Sequence, residues 1–293
     1  MSKNVEIEYK GYKYFYRINR NNSSELPPIL FISGAFQNMN SWKNISEYFS
    51  TKTTTILADL PGMGISEFLP KKENFDFVVE SMNKILEREK IEKVYLISIS
   101  YGAIIGYKFS QKYSEKVSLL ALLGAMTEMP QKLDLRIRNS INVANKGNAE
   151  KFADLLLQKG ILYDENDADE KIKNHDLVNR AIRLQLKRLD KQDLKKYATN
   201  TERLLNENDL DFEDKTKFKK IVFTGEFDIL TTPELCRIFA KKLNNVTFTT
   251  IRNSDHIFHI QQLETTIELL YQFGIGGNLK RIENCNEFET FNK

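Results

Sequence analysis

The stretch that decides the fold runs from residue 94 to residue 108 and reads VYLISISYGAIIGYK. An apolar, β-branched run typical of a buried strand passes directly into a pattern typical of a helix. Such a sharp turn can hold a serine hydroxyl at the edge of a sheet, and it needs small residues two positions before and after that serine. Around Ser100 these residues are Ser98 and Gly102. Around Ser98, Leu96 would clash. Ser100 is therefore the candidate nucleophile, although a buried strand followed by a helix, with incidental serines, also fits these residues.

A serine hydroxyl becomes a good nucleophile only when a base takes its proton and a third group orients that base. The chain has three histidines. His175 lies in a charged helical stretch, and we expect it at the surface or at a helix cap. His256 and His259 lie in a loop after a strand-like run at 246–251. Because loops at the carboxyl ends of strands carry the sites of open α/β sheets, this loop suits a general base.

Two carboxylates compete for the role of orienting acid. Glu226 and Asp228 both lie in a loop that follows a strand-like run at 221–225. The chain order Ser100, Asp228, His256 differs from the orders found in the two serine-protease types.

Five motifs in this order resemble the α/β-hydrolase superfamily. They are the strand and turn at 28–35 with Trp42 after it, the loop DLPGMGIS at 59–66, the serine turn at 98–102, the turn GEFD at 225–228, and the loop SDHIFH at 254–259. The resemblance covers about residues 5–125 and 215–273. Three residues depart from the family pattern. Ser33 stands where many relatives have His, Ser98 where most have Gly, and Asp255 where Gly is common; we expect Asp255 to point to solvent.

The resemblance implies a role for each candidate. Ser100 would take an acyl group from an ester or thioester, His256 would act as general base and then acid, and Asp228 would orient His256 and stabilise its charged form. Glu226 becomes a loop residue, and His259 becomes a second histidine packed near the site.

The resemblance also implies an oxyanion hole formed by the backbone N–H groups of Ala35 and Tyr101. It assigns Asp59 to the stabilisation of a turn rather than to catalysis. Trp42 and Phe36 are either core residues or part of the lining of the acyl pocket.

The coarse pattern predicts a mainly parallel sheet with an antiparallel start and with helices on both faces. Together with the resemblance, it implies an α/β-hydrolase fold with an eight-stranded sheet and an inserted helical cap. Strand patterns occur near 4–10, 12–18, 28–33, 54–59, 93–99, 117–124, 219–224 and 246–251, and helical patterns near 39–50, 74–89, 101–113, 232–243 and 260–273. We assign 1–125 and 215–273 to the hydrolase core, 126–214 to the cap, and 274–293 to a loosely ordered tail.

One helix of the predicted cap carries a row of basic residues. A partner such as an acyl carrier protein could bind there, but a solvated helix face is the simpler interpretation. The residues are Arg180, Arg183, Lys187 and Lys191.

Composition excludes several classes of function. A net charge of +3 in a chain of 293 residues predicts no nucleic-acid partner. We find no metal-ligand spacing and no Gly-rich phosphate loop, so we expect neither a metal nor another cofactor. The sequence has no apolar signal segment and no run long enough to cross a membrane, and its two cysteines, Cys236 and Cys285, make no disulfide framework. We therefore expect a cytoplasmic protein without integral membrane contact.

The proposed residues specify acyl transfer through serine but do not identify the acceptor. With water, the chain is an esterase or thioesterase; with an alcohol, it is an acyltransferase. Short strings, including those at 33–35, 98–102, 174–175 and 228–232, resemble the 3-hydroxyacyltransferase that makes the rhamnolipid precursor. A ligand-binding protein without turnover is a further alternative, because a fold does not determine a function.

Overall fold

The computed structural model describes residues 3–23, 25–158, 172–207 and 213–292. Its strands are β1 (Val5–Tyr9), β2 (Tyr12–Asn19), β3 (Ile29–Ile32), β4 (Thr55–Asp59), β5 (Val94–Ile99), β6 (Val117–Leu123), β7 (Lys219–Gly225), β8 (Val246–Ile251) and β9 (Glu289–Phe291). Its helices are α1 (Lys43–Ser50), α2 (Phe75–Glu89), α3 (Tyr101–Lys112), α4 (Gln131–Asn145), α5 (Ala149–Gln158), α6 (His175–Lys187), α7 (Lys191–Leu205), α8 (Pro233–Lys242), α9 (Phe258–Gln261) and α10 (Leu263–Ile275).

All of these strands form one sheet in the order β1-β2-β4-β3-β5-β6-β7-β8-β9. The strands from β3 to β8 run parallel, whereas β1, β2 and β9 pair antiparallel with their neighbours. This arrangement confirms the predicted class, a mainly parallel sheet with an antiparallel start. The carboxyl ends of the parallel strands lie at one edge, where the loops that carry a site are expected.

The predicted strand count of eight and the predicted loose tail are wrong. β9 lies inside the tail and pairs with the edge of β8. Ile282 and Cys285 of the tail are only 5% and 7% exposed. The three residues of β9 carry no apolar alternation, so the pairing partner rather than the local sequence makes them a strand.

Side chains alternate between two apolar layers. In β5, Leu96 packs with residues of α2, α3 and α8. Tyr95 and Ile97 point to the opposite layer, which α1 and α10 cover. Both faces of a parallel sheet are covered in this way, which explains the continuous apolar runs of its strands.

Helices α4 to α7 lie between β6 and β7 and share a core cluster of their own. Several side chains of α7, Asn200 and Arg203 among them, connect this group to the loop after β4. The Asn200 amide donates to Gly62 O at 2.8 Å, and Arg203 Nε donates to Glu73 O at 2.7 Å. Residues 159–171 and 208–212 of the predicted cap lie outside the described residues, and the cap boundaries at 126 and 214 stay a prediction.

Candidate active site

Ser100 lies in the turn between β5 and α3, with φ 53° and ψ −120°. L-residues seldom adopt this conformation, and they do so mainly where surrounding contacts impose it at functional sites. Here the Ser100 N–H donates to Leu123 O at 2.7 Å, and Ser100 O accepts from the Ala103 N–H at 2.8 Å. These two bonds hold the residue between the strand and the first turn of the helix.

The small residues around Ser100 are required by close approaches. A Cβ added at Gly102 would lie 2.5 Å from Ser33 O. Ser98 is fully buried, and a Cβ at Gly106 would lie 2.1 Å from Ser98 Oγ. A serine is thus accommodated at position 98 because α3 carries a glycine opposite it, a pairing that sequence reasoning missed.

His256 connects the serine with a carboxylate. Its Nε2 lies 3.1 Å from Ser100 Oγ, and its Nδ1 lies 2.8 Å from Asp228 Oδ2. The loops after β7 and β8 bring the carboxylate and the histidine to the edge of the sheet where Ser100 lies. The three residues predicted as nucleophile, base and acid are therefore brought together into one hydrogen-bonded chain.

Four donors other than His256 hold the Asp228 carboxylate. Oδ1 accepts from the N–H groups of Leu230 and Thr231 at 2.8 and 2.9 Å. Oδ2 accepts from the hydroxyls of Thr231, at 2.7 Å, and of Thr224. Sequence reasoning missed both threonines; the signal available was a threonine four residues before the acid and another three residues after it.

The two ionisable partners shift each other's pKa. Burial alone would raise the pKa of Asp228, but the charge and hydrogen bond of His256, with both threonine hydroxyls, hold this pKa below its usual value. Burial would lower the pKa of His256, but the charge and hydrogen bond of Asp228 and the charge of Asp255 raise it above 6.5. The geometry can therefore hold an imidazolium once the histidine has accepted a proton.

The rival carboxylate and the rival base have other partners. Glu226 Oε2 accepts from the Asn253 N–H at 3.0 Å. His259 Nε2 lies 3.3 Å from Gln37 Nε2, and burial together with the nearby His256 lowers the pKa of His259 to about 3. A histidine with so low a pKa is a poor general base near neutral pH.

The structure corrects the expectation for Asp255 and decides the positions of His175 and Trp42. Asp255 does not point to solvent: it is 3% exposed and accepts from the Ile257 N–H at 2.7 Å, as an aspartate does when it starts a turn. His175 is the first residue of α6, as the expected position at a helix end implies, but its side chain is buried and not at the surface. Of the two aromatic residues expected in the core or in the pocket lining, Trp42 packs on the ring of Phe31 in the core, and Phe36 lines the cavity beside Ser100.

The turn at residues 34–37 faces Ser100. A Cβ at Gly34 would lie 3.3 Å from Ser100 Cβ, and Gly34 N–H donates to Gln37 Oε1 at 2.8 Å. Ala35 and Tyr101 both line the cavity that contains Ser100. Among the described residues, no backbone group accepts a hydrogen bond from the N–H of Ala35 or Tyr101. Both amides are therefore candidates to bind an oxyanion.

Asp59 is fully buried below this turn. Its carboxylate accepts from the N–H groups of Met39 at 2.7 Å and Ile65 at 3.1 Å. Burial raises its pKa. These contacts are those expected of a residue that stabilises two loops.

The cavity beside Ser100 has a volume of about 220 Å³ and is mainly apolar. Its walls come from both the sheet edge and the inserted helices. They include Ile104, Met126, Ile137, Leu156, Leu204 and Leu230. Such a lining suits the hydrocarbon part of a small substrate.

The predicted row of basic residues is divided between two helices, because Lys191 begins α7 while the other three lie on α6. The part on α6 is partly neutralised. Arg183 pairs with Asp154, and Lys187 Nζ lies 2.8 Å from Glu150 Oε1. In the part of the chain that the structure describes, no group of three or more His, Cys, Asp and Glu side chains is placed to bind a metal ion. No helix among residues 3–23, 25–158, 172–207 and 213–292 combines the length and apolarity needed to cross a membrane.

Comparison with known proteins gives one family match. Residues 27–263 match the family described as alpha/beta hydrolase fold. An uncharacterized hydrolase of Saccharomyces cerevisiae is 28% identical over 109 residues, 37% of each chain. A probable nicotinate-nucleotide adenylyltransferase of Clostridium perfringens is 38% identical over 77 residues, 25% of this chain and 38% of that protein. The chain thus matches well under half the length of these curated relatives.

Solved structures resemble the chain over nearly its whole length. An alpha/beta hydrolase enzyme from a Medee basin deep-sea metagenome library has a TM-score of 0.81 at 18% identity, covering 94% of this chain and 98% of that one. A thermophilic esterase from Thermogutta terrifontis has a TM-score of 0.75 at 19% identity, covering 93% and 98%. The enol-lactonase from Burkholderia xenovorans has a TM-score of 0.75 at 18% identity, covering 92% and 99%. At these identities the likeness is one of fold.

Proposed function

Because this chain belongs to the α/β hydrolase fold family, we propose that it is a serine hydrolase that cleaves a small carboxylic ester or thioester through an acyl-serine intermediate. The observation that carries this proposal is the continuous hydrogen-bonded chain from Asp228 through His256 to Ser100 beside an apolar cavity. The similarity of fold to an esterase and an enol-lactonase supports a hydrolase.

Each residue has a role in the proposed mechanism. His256 Nε2 takes the Ser100 proton as the serine oxygen attacks the acyl carbon, and then gives that proton to the leaving group. Asp228 holds the imidazole orientation and stabilises its charged form. The N–H groups of Ala35 and Tyr101 donate to the oxyanion. Water, activated by His256, then releases the acid and restores the serine hydroxyl.

Labelling with a fluorophosphonate followed by intact-protein mass spectrometry tests this proposal. We expect one adduct on the wild type, none on Ser100→Ala, and an unchanged adduct on the matched control Ser98→Ala. A folded wild type that takes no adduct would contradict the serine mechanism and favour the ligand-binding alternative.

A separate assay is needed to identify the acyl acceptor and the leaving group. Ser100 is partly exposed, which supports water as acceptor. We expect esters and thioesters of short acyl chains to be hydrolysed by wild type and not by Ser100→Ala. If ester products with an added alcohol, such as a 3-hydroxyacyl acceptor, outnumber the free acid, the chain is an acyltransferase.

An acyl carrier protein as thioester donor and a cytoplasmic location stay proposals. Of the basic row on α6, Arg180 is exposed, and Arg180→Glu should slow a carrier-bound thioester more than the free thioester if the carrier binds there. The buried free thiols of Cys236 and Cys285 support a reducing compartment.

A further inference from the structure

A second cleft adjoins the candidate active site. Its volume is about 550 Å³, and it lies between the loop after β4 and helices α6 and α7. It shares five lining residues with the cavity beside Ser100, namely Gly34, Ala35, Phe36, Gln37 and Tyr197. The rings of Phe36 and Tyr197 lie 6.1 Å apart. These two rings border both spaces, so a substrate bound at Ser100 can extend on either side of them.

Lys196 lines this second cleft and is only 8% exposed. Its Nζ donates to Gly64 O at 2.8 Å. Among the residues that the structure describes, no carboxylate oxygen lies within the 4.0 Å of an ion pair with Lys196. Burial lowers the pKa of this lysine. The charges of Asp193, Asp59 and Asp190 oppose this shift without a direct ion pair. Because burial of an ammonium group without a direct anionic contact is unfavourable, the position of Lys196 beside a cleft points to an anion that binds there.

The other charges of the cleft limit the charge of its ligand. Arg188 is exposed at its rim, and Asp193 also lines it. Two cations and one carboxylate line the cleft, and the further negative charges of Asp59 and Asp190 act on Lys196 from outside it, so the site suits a monoanion better than a doubly charged group. Ile65 and Leu184 expose 51% and 57% of their surface and add an apolar wall.

We propose that this cleft binds the leaving-group side of the substrate, and that this side carries an apolar body and a carboxylate that pairs with Lys196. The inference rests on the proposed ester or thioester hydrolysis. It assigns the mainly apolar cavity beside Ser100 to the acyl chain and the charged cleft to the alcohol or thiol part. Lys196 is thereby a residue that determines specificity.

Two esters that differ only in charge test the assignment. In 4-carboxyphenyl butanoate the leaving group carries a carboxylate, and in 4-carbamoylphenyl butanoate it carries a neutral amide of similar shape. The ratio of kcat/KM for the first to kcat/KM for the second is measured for each variant. We expect Lys196→Met to lower this ratio by about tenfold or more, and Lys196→Arg to retain most of it.

Lys195 provides the matched control. It is the neighbouring lysine on the same helix, it is exposed, and its Nζ lies over the ring of Phe68 at 4.5 Å. We expect Lys195→Met to leave the ratio unchanged. A ratio that is the same in Lys196→Met and wild type would overturn the assignment while leaving the proposed hydrolase function intact.

If neither ester is hydrolysed, that result counts against the proposed function, and a binding measurement then tests the cleft by itself. Titration calorimetry of Ser100→Ala with 4-hydroxybenzoate and 4-hydroxybenzamide should give tighter binding of the carboxylate. Adding Lys196→Met to Ser100→Ala should remove this preference. Equal binding of both compounds to the folded Ser100→Ala protein would overturn the inference.

Discussion

At the scale of single residues, the Asp228 carboxylate both anchors its own loop and contacts His256. Two backbone amides and two threonine hydroxyls fix its position, and the remaining contact goes to His256 Nδ1. A carboxylate accepts hydrogen bonds at both oxygens, whereas an amide accepts at only one. The site is therefore sensitive to the charge and to the hydrogen-bonding pattern of this one side chain.

Asp228→Asn should lower kcat by about 10³- to 10⁴-fold, because the imidazole loses both its preferred tautomer and the charge that stabilises its protonated form. Steady-state kinetics with a short-chain ester measures this loss. The matched control is Glu226→Gln, which changes the neighbouring carboxylate in the same loop and should retain activity. A larger loss in Glu226→Gln would mean that the two acids have been assigned in the wrong order.

The same substitution should also shift the titration of His256. Asp228 raises the pKa of His256 above 6.5, so removal of its negative charge lowers that pKa. Because the base works in its neutral form, the acid side of the activity profile should move to lower pH. NMR of the His256 ring Cε1–H follows the titration even where activity is low. A midpoint that stays the same in Asp228→Asn would contradict the coupling.

At the scale of elements, β5 and α3 are in contact at Ser98 and Gly106. Ser98 Oγ is buried and has no hydrogen-bond partner among the described residues. The Ser98 hydroxyl occupies the space that a side chain at position 106 would need. A glycine at position 98 would leave that space for a larger residue at position 106. The packing of this strand on this helix thus depends on a matched pair of small residues.

Gly106→Ala should destabilise the fold by about 1–3 kcal/mol, because its Cβ would overlap Ser98 Oγ. In a Ser98→Gly background the same change should cost less, since both close contacts come from the Ser98 side chain. Urea unfolding of the two single variants and the double variant gives the coupling energy. Additive free energies would contradict this account of the contact.

Helix α7 depends on Arg203 for its contact with the loop after β4. The guanidinium donates to the carbonyls of Glu73, Leu69 and Pro70 at 2.7, 3.1 and 3.2 Å. Arg203→Met should lower the free energy of unfolding by about 2–4 kcal/mol, because these buried and part-buried carbonyls lose a charged donor. The control Arg138→Met removes a surface pair with Asp134 and should cost below about 0.5 kcal/mol. Equal effects in urea unfolding would show that the loop does not need Arg203.

At the scale of the whole molecule, the C-terminal tail adds the last strand at one edge of the sheet. β9 covers the edge of β8, and the Arg252 N–H donates to Asn284 O at 2.7 Å. An uncovered strand edge invites pairing with other chains. The tail thus protects the strand from which the loop of His256 begins.

Removal of residues 279–293 should lower Tm by about 5–10 °C, since about 2–4 kcal/mol of apolar burial at Ile282 and Cys285 is lost. The kcat of the folded protein should stay unchanged at 25 °C, because none of the removed residues lines the cavity. Ile282→Ser in the full chain should show part of the loss, whereas Ile275→Ser, at a residue 42% exposed, should not. An unchanged Tm after truncation would contradict the role of β9.

Local sequence determined the positions of most strands and helices and of the three turns that carry the candidate site. Alternating and helical periodicities located β1 to β8 and most helices within a few residues, because these patterns depend on neighbours along the chain. The serine turn, the acid turn and the histidine loop were predicted for the same reason, since each turn needs small or polar residues at set positions. Because each of these turns follows a strand of a parallel sheet, the three candidate residues were expected at one edge of that sheet.

Tertiary structure decided the features that depend on residues far apart in sequence. Ser98 is tolerated because Gly106 lies opposite it, and the three residues of β9 form a strand because the edge of β8 is free to pair. The cleft at Lys196 forms only where α6 and α7 pack over the loop after β4. Periodicity reports which face of an element is apolar but not what it packs against, so cavities, buried charges and edge pairings are set by the packing of the whole chain.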